Sequence, residues 1–141
     1  MKILVSACLL GENCKYNGGN NYCLEVAAFV RDREIIPVCP EVLAGLGIPR
    51  TPIEIQDGLV VDRNGNCVDG CVRDAVRHIM EQLDPDEIQC AVLKARSPTC
   101  GVHKIYDGTF SGTLVPGSGV FAQALREAGC TVLDEEDLIS R

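Results

Sequence analysis

With 141 residues, 46% of them hydrophobic and 23% charged, the chain can bury one ordinary core and is too short for two comfortable ones, and its composition excludes a disordered protein. Twenty acids against 13 bases leave a formal charge of −7, which argues against DNA or RNA duplexes as the main partner, because a polyanion binder carries a basic face. Nine cysteines, an odd number, exclude a complete set of internal disulfides.

Lys2 to Ala7 is apolar and β-branched enough for a buried first strand. Lys2 followed by Ile3-Leu4-Val5-Ser6-Ala7-Cys8 imitates a secretory signal ending at a lipid-modified cysteine. A working signal needs a hydrophobic stretch of about 7–15 residues, longer than the gap between Lys2 and Cys8, so a strand is expected instead. The chain then enters Gly11-Glu12-Asn13-Cys14 and Asn17-Gly18-Gly19-Asn20-Asn21, residues that tolerate unusual backbone angles. Tyr22 to Arg33 spaces Val26, Phe29 and Val30 at helical intervals, and Glu34 to Val38 reads as a second strand stopped by Pro40. This βαβ pattern implies a parallel sheet with a right-handed crossover.

Glu41 to Leu46 predicts a short helix closed by Gly47. Thr51 to Ile55 and Leu59 to Asp62 flank Gln56-Asp57-Gly58, a hairpin signal. Asn66 to Leu83 places Cys67, Cys71, Val72, Ala75, Val76, Ile79 and Leu83 on one helical face. Cys67 and Cys71 are therefore expected in the core, and Asp84-Pro85-Asp86 ends the helix. Ile88 to Leu93 is a third buried strand, Ser97 to Gly101 a turn, and Val102 to Val115 a glycine-broken excursion or hairpin. Ser118 to Ala128 predicts a helix capped by Gly129, and Thr131-Val132-Leu133 a last strand. The expected fold is α/β, three-layered and Rossmann-like, with a mostly parallel sheet and a small hairpin excursion, built as a single domain over residues 1–141. No apolar run approaches the ~18 residues of a membrane span, so no membrane partner is expected. Clustered cysteines in such a chain point to a cytoplasmic protein with reduced thiols and to metal or catalysis rather than disulfides.

Three cysteines, Cys8, Cys39 and Cys100, each fall just after an apolar run. Strand ends are where an α/β sheet builds its sites, and three thiolates brought to one edge can hold a metal or an iron–sulfur cluster with one coordination position left open. Around Cys8, the stretch Ser6 to Cys14 exposes a thiolate beside a glycine loop. Cys8 and Cys14 would serve equally as small buried hydrophobes, and C-x5-C matches no usual zinc spacing. In Pro37-Val38-Cys39-Pro40-Glu41, proline fixes the strand exit and Glu41 falls at a helix start, where the dipole favours its anion. Near a metal the same carboxylate suits acid–base work on water or a leaving group. Lys94-Ala95-Arg96-Ser97-Pro98-Thr99-Cys100-Gly101 sets a hydroxyl, a thiol and two cations after a buried strand. With His103 and Lys104 it forms a short basic run able to hold one small electron-rich ligand. Cys23, Cys90 and Cys130 read as structural. No P-loop, GxGxxG or HExxH is present, and Pro116-Gly117-Ser118-Gly119 is at most a weak anion site at a helix start.

Taken together, Ser6-Ala7-Cys8-Leu9-Leu10-Gly11-x-Asn13-Cys14-x-Tyr16-x-Gly18-Gly19-x-Asn21, Pro37-Val38-Cys39-Pro40-Glu41 and Lys94-Ala95-Arg96-Ser97-Pro98-Thr99-Cys100-Gly101 resemble the thiouracil desulfurase family over essentially the whole chain. The resemblance implies a [4Fe–4S] cluster held by Cys8, Cys39 and Cys100, with one iron lacking a protein ligand. It also implies catalytic roles for Glu41 and Ser97 in removing sulfur from a small thiolated pyrimidine without net redox change. Water activated by Glu41 would add at the carbon that loses sulfur, and Ser97 would position substrate or relay a proton. Asn21 and Lys94 are candidate contacts to the pyrimidine edge. A cluster with a solvent-exposed iron is easily oxidised, so aerobic handling is expected to strip it. The rival reading makes Cys14 a fourth ligand in a metal or iron–sulfur module without hydrolytic activity. A metal-free thiol enzyme or nucleotide-binding module is a further rival, and it leaves three strand-end cysteines unexplained. The oligomeric state and the exact thio-substrate are not readable from the sequence.

Overall fold

The computed structural model describes residues 1–139. Four strands, β1 (Lys2–Ser6), β2 (Glu34–Val38), β5 (Ile88–Leu93) and β8 (Val132–Asp134), form a wholly parallel sheet in the order β2-β1-β5-β8. The β1–β2 register runs unbroken from Lys2 opposite Glu34 to Ser6 opposite Val38. All four strands therefore leave the sheet at the same edge, and β1 lies at the point where strand order reverses. Two antiparallel hairpins stand apart from the sheet: β3 (Ile53–Gln56) with β4 (Leu59–Asp62), and β6 (Lys104–Tyr106) with β7 (Leu114–Pro116).

Side chains alternate across a strand, so each face of the sheet buries its own set. Leu4, Ala91 and Leu93 face one way and pack with α3 (Asp69–Gln82) and α4 (Val120–Glu127), through Val76, Ile79, Phe121, Ala122 and Leu125. Ile3, Val5, Cys90 and Val92 face the other way, onto α1 (Leu24–Phe29) and α5 (Glu135–Ile139), through Val26 and Leu138. Helix, sheet and helix make the expected three layers. A smaller cluster of Ile53, Val60 and Val72 seats the β3–β4 hairpin on α3.

Most predicted elements lie within a few residues of their expected bounds. The β3–β4 turn is Asp57-Gly58, with φ of 49° and 82°, the two positive angles that a tight hairpin turn requires. Residues 102–115, read as an excursion or hairpin, supply β6 and the start of β7. Four findings differ from expectation. Residues 7–10, just past β1, form a single 3-10 turn. The long helix starts at Asp69, because Cys67 instead bridges Val61 and the Val68 amide bonds Val60 O, which extends the β4 hairpin. Cys67 and Cys71, expected in the core, are both exposed, and Cys71 donates to Val68 O at 3.1 Å. Finally, α5 was not expected at all. Its start is a reciprocal cap: Asp134 N donates to Asp137 Oδ2 and Asp137 N to Asp134 Oδ1, both at 3.0 Å.

The N-terminus of α4 is the contact that fixes the turn after β5. Amides of Val120, Phe121 and Ala122 donate to the carbonyls of Pro98 and Thr99 at 2.8–3.2 Å. Those donors are thus used inside the protein, so the weak anion site expected before α4 is filled by its own chain. A Cβ on Gly119 would fall 2.4 Å from Thr99 C and 2.8 Å from Cys100 N. Gly119→Ala is expected to cost about 1–3 kcal/mol through forced displacement of this turn, measurable as a lowered denaturation midpoint. Ala at Gly70, which has open space around it, serves as the control.

Candidate active site at the sheet edge

The three strands β2, β1 and β5 end around one cavity of about 490 Å³. Cys8 enters it from the turn after β1, Cys39 from the residue between β2 and α2 (Pro40–Leu43), and Cys100 from the turn after β5. Glu41, Ser97, Asn21 and Lys94 line the same space. The seven residues given site roles by the resemblance are therefore brought together, and Cys14 is with them, whereas His103 and Lys104 of the basic run lie outside the cavity lining. The strand ends are tied laterally: Lys94 N donates to Ser6 Oγ at 3.0 Å, linking the exits of β5 and β1. Ser6 is buried, and its hydroxyl also hydrogen-bonds the Cys100 thiol.

The thiols are in a poor solvent for charge. Burial pushes Cys100 up to about 12, against hydrogen bonds from Ser6 and Thr99, with the Glu41 and Cys8 charges adding to the rise. Burial likewise raises Cys8, while a hydrogen bond from Asn21 and the Lys94 charge pull it down. Cys14 also reaches about 12, through burial and its neighbours Cys39 and Cys8. Cys39 Sγ points at Cys14 O, 3.9 Å away. Among the described residues, the one set of three His, Cys, Asp or Glu ligand atoms within 4.8 Å of one another is His103, Asp134 and Asp137. No three of the cavity sulfurs lie that close to one another. A single tetrahedral zinc with bonds of about 2.3 Å sets its sulfurs about 3.8 Å apart, so the donor set suits a larger group better than one ion.

Glu41 is held at both oxygens. Arg50 Nε donates to Oε1 at 3.1 Å and Thr99 Oγ1 to Oε2 at 2.9 Å. The ion pair is buried, with side-chain exposures of 6% for Arg50 and 14% for Glu41. Arg50 also donates to Cys14 O at 2.9 Å and to Gly47 O at 3.2 Å. One guanidinium thereby joins α2 to the Cys14 loop. Ser97 Oγ accepts from the amides of Thr99 and Cys100 at 3.1 and 3.0 Å, which shapes the turn that presents Cys100. Arg96, at φ 70°, turns the chain from β5 into that bend.

Arg50 and Thr99 were not singled out from the sequence. Thr99 stands inside a quoted motif, but its carboxylate partner is 58 residues away. Nor does the basic run act as one patch. Lys94, Arg96 and His103 are each paired with consecutive acids of α5, Glu135, Glu136 and Asp137, at 2.8, 2.8 and 2.9 Å. Lys94 still reaches the cavity, with Glu135 also accepting from Ala95 N.

The model of the 2-thiouracil desulfurase family matches residues 3–137. The uncharacterized protein YbbK of Bacillus subtilis (strain 168) is 34% identical over 146 residues, covering 96% of this chain and 97% of its own. A solved structure, the [4Fe-4S]-dependent thiouracil desulfidase TudS, superposes with a TM-score of 0.89 at 34% identity, over 99% of this chain and 93% of that one.

Removing one member of a buried ion pair strands the other. Arg50→Met is accordingly expected to destabilise the protein by about 3–5 kcal/mol. The companion variant Arg50→Met/Glu41→Gln should recover part of that loss in chemical denaturation.

Proposed function

The chain belongs to the 2-thiouracil desulfurase family, and on that premise we propose that it is an iron–sulfur-dependent desulfidase. Its substrate is a small thiolated pyrimidine or related thio-heterocycle, of the 2-thiouracil to uracil type. The reaction is hydrolytic and redox-neutral: C=S and water give C=O and hydrogen sulfide. The observation that carries the reading is the convergence of three thiols from three adjacent parallel strands on a cavity that also holds a carboxylate and a hydroxyl.

The donor set fits the cofactor. Thiolates are the usual ligands of iron–sulfur clusters, and Cys8, Cys39 and Cys100 would hold a [4Fe–4S] cluster. When bound by three thiolates, such a cluster supplies an iron without a protein ligand, a Lewis acid toward soft sulfur. Glu41 takes a proton from water beside the substrate carbon, and Arg50 keeps its carboxylate turned into the cavity. Ser97 relays or returns that proton. Asn21 and Lys94, both lining the cavity, contact the heterocycle edge. All nine cysteines are free thiols, in keeping with a single cytoplasmic domain acting on a small molecule. Among the described residues no helix is long and apolar enough to cross a membrane.

Anaerobic reconstitution followed by incubation with 2-thiouracil is expected to release sulfide. Glu41→Ala should keep its iron and lose at least about 10²-fold in rate, the worth of a positioned base. Ser replacing Cys8, Cys39 or Cys100 should strip iron, whereas Cys14→Ser should retain a full cluster. Iron loss in Cys14→Ser, together with no sulfide from wild type, would favour the four-cysteine module instead.

Ligation expels the thiol protons. Since burial raises Cys8 and Cys100, those protons are held tightly near neutrality and leave more readily as pH rises. Iron uptake by the apoprotein should strengthen as pH is raised from about 6 to about 9, read as iron retained per chain after desalting. A flat or falling profile would contradict protonated thiols in the apoprotein.

A further inference from the structure

We infer that Glu54 determines which thio-heterocycles the cavity accepts, by taking a hydrogen bond from the substrate's ring N3–H on its second carboxylate oxygen; this rests on the desulfidase reading of the site. Side chains alternate along a strand. In β3, Ile53 and Ile55 pack in the cluster with Val60 and Val72 of the α3 side. Glu54 therefore faces the other way, toward the β6–β7 hairpin and the cavity whose lining it joins. It is 8% exposed. Its Oε1 accepts from Gly108 N at 3.0 Å and from Phe110 N at 3.1 Å. Gln56, on the same side of the strand, donates to Gly108 O at 2.6 Å, so the hairpin loop is clamped to β3. Oε2 accepts from no described residue. Since no sealed side-chain oxygen among the described residues lacks a partner, Oε2 is open to the cavity.

A largely buried carboxylate oxygen without a donor is unfavourable, and a ligand that brings an N–H relieves it. The cavity lining holds two acids, Glu41 and Glu54. Arg50 and Thr99 engage both oxygens of Glu41, which leaves Glu54 Oε2 as the carboxylate oxygen with no partner among the described residues. A thiouracil presents a matching donor at N3, the ring nitrogen between C2 and C4. That N–H flanks the thiocarbonyl at either carbon, and it stays available when N1 carries a substituent. A charge-assisted bond to it fixes the ring and hence the direction of the neighbouring C=S. A heterocycle with a bare N3, such as 2-thiocytosine, sets a lone pair against the carboxylate instead. The Gly108 and Phe110 amides also dictate how a glutamine would sit here. Its carbonyl oxygen must take the place of Oε1, which puts its NH₂ where Oε2 was and turns an acceptor into a donor.

The test uses the full chain, reconstituted anaerobically. Iron content is measured, with sulfide release from 2-thiouracil, its 1-methyl and 3-methyl derivatives, and 2-thiocytosine. In wild type, 3-methyl-2-thiouracil and 2-thiocytosine should each fall about 10²-fold below 2-thiouracil in kcat/KM, whereas 1-methyl-2-thiouracil should stay within about tenfold. Glu54→Gln should load wild-type iron and lose about 10²-fold on 2-thiouracil, mainly through KM. It should gain on 2-thiocytosine, whose N3 accepts from the new amide, so the preference between the two substrates narrows or reverses. A loaded Glu54→Gln that keeps the wild-type preference, or loses the same factor on both substrates, overturns the assignment. If Glu54→Gln fails to fold or load, the methyl derivatives decide on wild type alone. A slow 3-methyl beside a fast 1-methyl derivative supports the N3–H contact, and equal rates overturn it. A loaded wild type that releases no sulfide from any of these compounds overturns the desulfidase reading and the assignment with it, whereas the Glu54 outcomes in an active protein overturn the assignment alone.

Discussion

Parallel pairing has a consequence that antiparallel pairing lacks: every strand leaves the sheet at the same edge. Here β1 pairs with β2 on one side and β5 on the other, so three exits open side by side at the reversal of strand order. Both faces of the sheet are covered by helices, which leaves the edge as the place where polar groups can gather without disrupting the core. The turn after β1 carries Cys8, the residue after β2 is Cys39, and the turn after β5 carries Cys100. Had any of the three strands run the other way, one thiol would sit at the opposite end of the sheet.

An acidic protein has placed a cavity lined by several cations at that edge and then balanced most of them locally. Arg50 is paired with Glu41, Lys94 with Glu135 and Arg96 with Glu136. Burial is then the largest influence on the thiols of Cys8, Cys14 and Cys100. Burial pushes both Cys100 and Cys14 up to about 12. This differs from a thiol enzyme, where a neighbouring cation lowers the nucleophile instead. The helix α5 serves two ends: Leu138 closes one face of the sheet, while its acids set the side chains that follow β5.

Much of this was legible in the sequence because the signals were local. Apolar runs ended at Cys8, Cys39 and Cys100, and Asp57-Gly58 announced a hairpin turn that the backbone angles bear out. Where reading failed, the deciding contact was distant or the local signal was of another kind. Apolar spacing extended the long helix back to Asn66, but the bridge from Cys67 to Val61 belongs to a hairpin that spacing cannot see. Helix α5 has one buried apolar side chain, Leu138, hence almost no periodicity. Its signal was the Asp134-x-x-Asp137 cap, a polar pattern. Arg50 and Thr99 looked like ordinary loop residues because their roles are set by Glu41, which reaches them only when α2 folds onto the turn after β5.

The same bonds shape the loop after β5 and seat the Glu41 carboxylate. Ser97 Oγ accepts the amide of Cys100 and so fixes where that thiol points. That acceptance also fills the oxygen and obliges its proton to face Thr99. Thr99 in turn gives its carbonyl to the start of α4 and its hydroxyl to Glu41, so the helix that anchors the turn also sets the reach of the hydroxyl. Glu41 divides its two oxygens between Arg50, which ties it to the Cys14 loop, and Thr99, which ties it to the Cys100 turn. The placement of the Cys100 thiol and that of the Glu41 carboxylate are consequently one constraint. A substitution that loosens the bonds among Ser97, Thr99 and Glu41 disturbs the turn that presents Cys100 and the seat of the carboxylate together.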